Sequence, residues 1–104
     1  MRILITGGCG FIGSNIAIYL KKTNDKNKIY CADNFYRKGS IENKKRLLKK
    51  DIVVIKCDIR NEKDLNKIPK FDLLIDCANF CALLIIQNRQ IDGPRYMIIG
   101  KLSW

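Results

Sequence analysis

The 104-residue sequence contains no histidine, and its five cysteines include no C-x-x-C pair. Histidine and closely spaced cysteine are the usual ligands of structural zinc, so their absence argues against a metal site. The lack of histidine also removes the side chain that most often acts as a general acid or base near neutral pH. We therefore expect neither a zinc centre nor histidine-based catalysis.

Long apolar runs are missing as well. No stretch reaches the ~18 apolar residues that a membrane span needs, and the residues before Gly7 are too few for the apolar part of a secretory signal. The odd number of cysteines suits a reducing compartment better than a disulfide framework. The sequence thus predicts a cytoplasmic protein with no membrane partner.

Acidic residues are scarce, with 10 Asp and Glu against 20 Lys and Arg and a formal net charge of +10. Such an excess can indicate nucleic-acid contact, and it attracts phosphate-bearing ligands. Most of the lysines fall in helical or loop segments without interleaved aromatic residues, as in Lys44-Lys45-Arg46, a pattern typical of a solvated helix face. A basic, non-catalytic nucleotide- or nucleic-acid-binding module remains the second interpretation. A nucleotide-sensing subunit completed by a partner chain is the third.

A glycine-rich turn, Gly7-Gly8-Cys9-Gly10-Phe11-Ile12-Gly13, stands between a strand-like run and a helical pattern. Such a turn lets the backbone approach a pyrophosphate, which the N–H groups and dipole of the following helix can bind. Asp33 ends the next apolar run, twenty positions after Gly13. A carboxylate there can accept hydrogen bonds from both adenosine ribose hydroxyls. Together these features predict a dinucleotide site.

The glycine spacing G-x-x-G-x-x-G differs from the ordinary dehydrogenase fingerprint G-x-G-x-x-G. Thr6–Gly13 resembles the TGGxGFIG signature of the extended short-chain dehydrogenase/reductase superfamily, the NAD-dependent nucleotide-sugar epimerases and dehydratases. Asp33-Asn34-Phe35 resembles the family's D-N-[LF], and Cys57-Asp58-Ile59-Arg60 resembles its G-D-[IV]-R. Arg37-Lys38-Gly39-Ser40 is most similar to the CDP-paratose (tyvelose) 2-epimerase branch. The resemblance covers residues 1–79 and identifies the chain as an N-terminal fragment of this family.

The resemblance implies how the chain would hold NAD. Asp58 would hydrogen-bond the adenine amino group and Ile59 would pack on its ring, although Asp58 could instead be only a turn residue. Phe11 and Ile12 would belong to the core or the pocket wall, with their N–H groups facing the phosphates. The predicted cofactor-binding residues are Gly7, Gly10, Phe11, Ile12, Gly13, Asp33, Asn34, Arg37, Asp58, Ile59 and Ala78.

The choice between NAD and NADP depends on the end of the second strand. Asp33 favours NAD, because its charge would repel the 2′-phosphate of NADP. Arg37 and Lys38 lie just beyond and could accommodate that phosphate, so NADP stays the alternative.

The family's catalytic Y-x-x-x-K pair is not found. Tyr96 is followed four places later by Gly100, and Lys101 is one position too far, about 100° further round a helix. We assign no catalytic residue and expect the chain to be inactive alone. In complete relatives, NAD⁺ oxidises a sugar hydroxyl and the hydride returns to the other face of the keto intermediate. A nucleotide sugar would be a partner only if the missing substrate lobe were supplied.

Strand-like apolar runs alternate with helical patterns as far as residue 79. The pattern predicts an α/β fold, a Rossmann-type parallel sheet of order 3-2-1-4 with helices on both faces, truncated after about the fourth strand. The predicted strands are Arg2–Thr6, Lys28–Asp33, Ile52–Lys56 and Leu73–Cys77. The predicted helices are Phe11–Lys22, Ile41–Lys50 and Glu62–Ile68.

Details of packing and capping follow from the same patterns. In the first helix, the predicted inward face is Ile12, Ile16, Tyr19 and Leu20. Ser40 is predicted to cap the second helix and Asn61 the third.

We divide the chain into an NAD(P)-binding Rossmann part, residues 1–79, and an atypical or disrupted tail, residues 80–104. Only this tail is available to cover the fourth strand. We therefore expect the edge of that strand and the side chains of Leu73–Ile75 to stay partly exposed, as would those of Leu83–Ile86. Exposed apolar surface and an unpaired edge would favour self-association.

Overall fold

The computed structural model of the protein describes residues 1–58, 60–78 and 96–99. Within these residues the elements in chain order are β1 (Arg2–Thr6), α1 (Phe11–Thr23), β2 (Lys28–Asp33), α2 (Ser40–Lys49), β3 (Val53–Lys56), α3 (Glu62–Leu65), β4 (Leu73–Asp76) and β5 (Tyr96–Ile99). No helix in this part of the chain is both long and apolar enough to cross a membrane. The bounds of β1 and β2 match the sequence prediction, and those of α1 differ by one residue.

The strands form one parallel sheet of order β3-β2-β1-β4-β5. The predicted order of the first four strands and their parallel pairing are confirmed. The expectation of an unpaired edge on β4 is wrong, because β5 pairs with it in a register that places Leu73 opposite Tyr96. The sequence Tyr-Met-Ile-Ile of β5 is rich in residues that favour strands. Self-association, which we derived from the open edge, stays a prediction.

Two apolar cores lie on opposite faces of the sheet. Alternate residues of β1 face opposite ways, so Ile3 and Ile5 enter one core and Leu4 the other. The first core is closed by α1 and α2 through Ala17 and Leu47. The second is closed by α3 and the segment before β4, and its buried members are Leu4, Ala32, Cys57, Leu65, Phe71 and Leu74. Helices therefore cover both faces, as the parallel pattern predicts.

The fourth strand is better covered than we expected. Leu74 is fully buried and Ile75 is only 5% exposed, while Leu73 is half-buried. The expected exposure of Leu73–Ile75 is therefore wrong for its last two residues, because both faces of the sheet are already packed at this strand. The expected exposure of Leu83–Ile86 lies outside the described residues.

The first helix contacts the sheet through small residues. Its buried positions are Gly13, Ser14 and Ala17, and Ile16 and Leu20 pack partly against the core. Tyr19 is 64% exposed, so its predicted place on the inward face is wrong. It lies two positions after Ala17, about 200° round the helix.

The third helix is shorter than predicted. Asn61 caps it as expected, its Oδ1 accepting a hydrogen bond from the Lys63 N–H at 2.9 Å. The segment Asn66–Ile68 then continues in tighter turns, each N–H bonding to the carbonyl three residues earlier. The α-helical pattern therefore ends at Leu65, before Pro69 is reached.

The carboxyl ends of β1, β2 and β4 meet at one edge of the sheet. Thr6 is in register with Ala32 on one side and with Asp76 on the other. The Thr6 hydroxyl donates to Asp76 Oδ1 at 2.6 Å, joining the two strand ends. The loops that follow these strands therefore converge, and they carry most of the predicted site residues.

Candidate functional site

The glycine turn between β1 and α1 has a shape that only glycine accepts at its first position. Gly7 has φ +65°, and a Cβ there would lie 2.9 Å from the carbonyl carbon and oxygen of Cys77. The Gly7 carbonyl accepts the Gly10 N–H at 3.0 Å, which closes the turn. A Cβ on Gly13 would lie 2.9 Å from Gly8 Cα and would also collide with the Gly7 carbonyl oxygen. The helix can therefore approach the turn closely only with glycine at position 13.

The first turn of α1 has neither a side-chain cap nor an acidic residue. The leading N–H groups of a helix have no intrahelical acceptor, so the backbone of Phe11, Ile12 and Gly13 can serve an anion. The Phe11 side chain is 79% exposed, so its predicted place in the core or pocket wall is wrong. Ile12 is half-buried, and neither side chain lines the cleft described below.

The carboxylate of Asp33 is fixed at the end of β2 by two backbone donors. Its Oδ2 accepts the Cys9 N–H at 2.9 Å, and its Oδ1 accepts the Phe35 N–H at 2.8 Å. Each carboxylate oxygen retains capacity for a further hydrogen bond. Asp33 is half-buried and lines the cleft. The carboxylate is thus oriented and can still accept from a ligand hydroxyl.

An open cleft of about 280 Å³ lies above these strand ends. Its lining residues are Gly7, Gly10, Asp33, Asn34, Tyr36, Arg37, Cys77 and Ala78. A smaller recess of about 60 Å³ shares part of this wall and is lined by Gly7, Ala32, Asp33, Asn34, Cys57, Asp58 and Ala78. The larger space lies near the lower end of the range for small-ligand sites, which suits part of a dinucleotide.

Seven of the eleven predicted site residues are brought together here. They are Gly7, Gly10, Asp33, Asn34, Arg37, Asp58 and Ala78. Phe11, Ile12 and Gly13 stand beside the cleft without lining it, and Ile59 lies outside the described residues.

Asp58 makes a turn of its own while lining the recess. Its Oδ1 accepts the Arg60 backbone N–H at 3.0 Å, and its Oδ2 pairs with Arg60 Nη2 at 3.0 Å. The hydrogen bonds from Arg60 hold the pKa of the Asp58 carboxyl below its ordinary value. The turn-residue interpretation therefore describes the structure, and the contact with adenine stays a prediction.

Burial favours the protonated form of the thiols near the cleft. Burial, with a further contribution from the charge of Asp33, raises the pKa of the Cys9 thiol to about 12. Burial also raises the pKa of Cys31 and that of Cys77, which lines the cleft. Because the thiolate is the nucleophilic form, burial disfavours a nucleophilic role for these cysteines, and all three pack in or against the first core.

Sequence reasoning missed two side chains that shape the site. Asn43 Nδ2 donates to the Cys9 carbonyl at 2.8 Å, across 34 positions of sequence. Asp76, only 3% exposed, accepts from the Ala78 N–H at 3.1 Å as well as from Thr6. Neither residue belongs to a motif, and the hydrogen bonds to Cys9 and Thr6 form between segments far apart in sequence, so no local pattern could have predicted them.

Comparison with known proteins gives a family match along most of the chain. A profile described as the NAD dependent epimerase/dehydratase family matches residues 3–97. The match runs past residue 79, where the motif resemblance ends. A CDP-paratose 2-epimerase from Salmonella typhi is 36% identical over 97 residues, which is 90% of this chain and 27% of that protein. The chain thus spans about a quarter of the length of that relative.

Solved structures show the same fold. A dTDP-glucose 4,6-dehydratase from Bacillus anthracis, in complex with NAD, superposes with a TM-score of 0.78 at 24% identity and covers 95% of this chain and 36% of that one. A UDP-glucuronic acid 4-epimerase from Bacillus cereus, in complex with NAD, has a TM-score of 0.58 at 26% identity. That match covers 75% of this chain and 27% of the epimerase.

Proposed function

Because the chain belongs to the NAD dependent epimerase/dehydratase family, we propose that it binds NAD through the adenosine diphosphate half of the cofactor. The observation that carries this proposal is the shared cleft of the glycine turn and the Asp33 carboxylate. A pyrophosphate needs close backbone approach and helix N–H groups, and a ribose needs a carboxylate acceptor. Gly7, Gly10 and the Asp33 carboxylate line one space of about 280 Å³, and the first turn of α1 stands beside it.

Each part of the cofactor has matching residues in the cleft. The backbone of Gly7 and Gly10, with the first turn of α1, would hold the pyrophosphate. Asp33 would accept the ribose hydroxyls, and the recess beside Asp58 would take the adenine. When bound, NAD supplies a hydride acceptor; the described residues contribute its binding and orientation.

NAD is proposed in preference to NADP. The Asp33 carboxylate lines both spaces, so a 2′-phosphate near the ribose would meet a fixed negative charge. Arg37 lines the larger cleft and is exposed, and it could pair with a pyrophosphate oxygen. The preference would reverse only if Arg37 and Lys38 outweighed the repulsion from Asp33.

We further propose that the chain is the cofactor-binding part of a nucleotide-sugar epimerase or dehydratase. The relative from Salmonella typhi is a CDP-paratose 2-epimerase, and the aligned stretch is 27% of its length. The Y-x-x-x-K pair implied by the family resemblance does not occur in the 104 residues. The 104-residue chain should therefore bind cofactor without converting a sugar by itself.

Titration calorimetry of the purified chain with NAD tests the binding proposal. We expect saturable binding that ADP-ribose displaces, since the contacts involve the adenosine diphosphate half. The matched comparison is a duplex oligonucleotide titrated at two salt concentrations. Absence of NAD binding, together with oligonucleotide binding that falls steeply with salt, would replace the proposal with the basic-module interpretation.

A further inference from the structure

We infer that three side chains of α1 and α2, Asn15, Asn43 and Arg46, form a polar clamp that fixes the glycine turn in its binding shape. The inference rests on the proposed NAD function for its binding consequence. The clamp residues do not line the cleft, so they would act by positioning the backbone that does.

The backbone of Cys9, in the middle of the turn, is held on both sides of its Cα. Asp33 Oδ2 accepts its N–H at 2.9 Å, and Asn43 Nδ2 donates to its carbonyl at 2.8 Å. Cys9 is fully buried, so water cannot easily replace the amide of Asn43. Losing that donor would leave a buried carbonyl unsatisfied, which costs more than an ordinary hydrogen bond contributes.

Arg46 connects this anchor to the first helix. Its Nη1 donates to Asn43 Oδ1 at 2.9 Å, and its Nη2 donates to Asn15 Oδ1 at 3.2 Å. Asn15 Nδ2 in turn donates to the Phe11 carbonyl at 2.7 Å. The clamp therefore runs from the middle of the turn, through α2, to the first residue of α1.

This path holds the backbone where the N–H groups offered to a pyrophosphate begin. The N–H groups of Gly10 and Phe11 lie between the two clamped carbonyls of Cys9 and Phe11, and those of Ile12 and Gly13 follow directly in the first turn of α1. Fixing both ends limits the conformations of the backbone between them before the ligand arrives. A preorganised site binds more tightly because less order has to be imposed on binding, so the clamp would increase affinity for a pyrophosphate.

Substitutions in α2 can distinguish the effect of losing the clamp from the effects of a less stable helix or a lost positive charge. Asn43→Ala removes the donor to Cys9 and places a better helix former in α2, so helix loss would not explain a weaker site. Arg46→Ala removes the link to Asn15 together with one positive charge. Lys45→Ala is the matched control, since it removes the same charge next to Arg46 and only an exposed pair with Glu42 at 3.5 Å.

We expect Asn43→Ala and Arg46→Ala each to weaken NAD and ADP-ribose binding about fivefold, the equivalent of one hydrogen bond. Lys45→Ala should stay within about twofold of wild type. Adenosine, which has no pyrophosphate, should bind all four proteins alike. The double variant Asn43→Ala/Arg46→Ala should bind NAD no more weakly than the single variant with the lower affinity, because the two residues act through one path.

Amide hydrogen exchange of the ligand-free chain tests the clamp independently of NAD binding. The Cys9–Gly13 amides should exchange faster in Asn43→Ala than in wild type or Lys45→Ala. Unchanged exchange would overturn the clamp even if NAD binds. A wild-type chain that binds no NAD would overturn the proposed function, while faster exchange in Asn43→Ala would still support the clamp.

Discussion

At the scale of single residues, Asp33 has a structural role beside the binding role proposed for it. Its two oxygens hold the N–H groups of Cys9 and Phe35, and Phe35 has a left-handed backbone with φ 61°. The carboxylate therefore supports the glycine turn and a strained loop together. Removing it should affect folding as well as ligand affinity, and an experiment must measure both.

Asp33→Ala should reduce the free energy of NAD binding by ~1–3 kcal/mol, the loss typical of hydrogen bonds to a charged group. Calorimetry measures the affinity, and a urea titration reports the accompanying loss of stability. Asp25→Ala is the matched control, because it removes the same charge from an exposed turn far from the cleft. Equal NAD affinity in Asp33→Ala and wild type would remove Asp33 from the site.

The buried thiols make stability sensitive to alkaline pH. Burial raises the pKa of Cys57 from its ordinary value of 9.0 to about 11, so the folded state holds this proton more tightly than the unfolded chain. Stability from this group is fully present below about pH 9 and is lost as pH rises through about 11.

Between about pH 8 and about pH 10.5, we expect the urea midpoint of the wild type to fall more than that of Cys57→Ala. This range runs from below the ordinary pKa of a cysteine to near the raised pKa of Cys57. Other titrating groups contribute nearly equally to both proteins and cancel in the comparison. Parallel pH profiles would show that the Cys57 thiol titrates normally.

At the scale of elements, the helices that follow β2 and β3 differ in how their first turns are capped. Ser40 was predicted to cap α2, but the cap residue is Gly39, with φ 90° and no side-chain hydrogen bond. Ser40 is instead the first helical residue, 2% exposed, and its Oγ has no hydrogen-bond partner among the described residues. The sequence could not distinguish these positions, since the glycine turn shifts the start of the helix by one residue.

Ser40→Ala should raise the free energy of unfolding by about 0.5–1 kcal/mol, because it removes an unsatisfied buried hydroxyl and improves helix propensity. Asn61→Ala, at the capped start of α3, should lower it by about 1 kcal/mol. Thermal or urea unfolding of both variants measures these two changes in the free energy of unfolding. A loss of stability in Ser40→Ala would mean that its hydroxyl has a partner in solution.

Much of the sheet could be predicted because its strands are clear local patterns. The apolar runs of β1 and β2 are short, bounded by polar residues and buried on both faces, so their ends are well defined. The fifth strand was missed because Tyr96–Ile99 is an apolar run of four residues, too short for periodicity to distinguish a strand from a buried helical segment. Tyr19 was misplaced because the close approach at Gly13 sets the rotation of α1, and that contact depends on tertiary structure.

The sequence predicted the part of the site whose residues lie at the ends of strands or just after them. Gly7, Asp33, Asp58 and Ala78 each follow or end a strand, and parallel strands bring such positions to one edge. Asn43 and Asp76 escaped prediction because their roles depend on where α2 and β4 pack. Local motifs therefore located the cleft, and tertiary contacts determine how its backbone is held.

At the scale of the whole molecule, cofactor binding should not bring turnover. Tyr96 begins strand β5, so it is not placed on a helix where a lysine four residues later could align with it. We expect no product from CDP-, UDP- or dTDP-sugars with NAD and the purified chain. Chromatography of the reaction mixture measures this, with Tyr96→Phe as the control for host enzymes. Product made by wild type and lost in Tyr96→Phe would contradict the expectation.

The position of β1 at the centre of the sheet has a consequence for how the molecule folds. Both neighbours of β1, β2 and β4, follow it in the chain, and the bond between Thr6 and Asp76 spans 70 positions. Parallel pairing offers no hairpin as a local nucleus. Pairing β1 with β2 and β4 therefore requires segments distant in sequence to come together, which slows folding. Until Leu73–Asp76 has been synthesised, one edge of β1 remains open to other chains. We therefore expect the interval between synthesis of β1 and of β4 to be when a chaperone matters most.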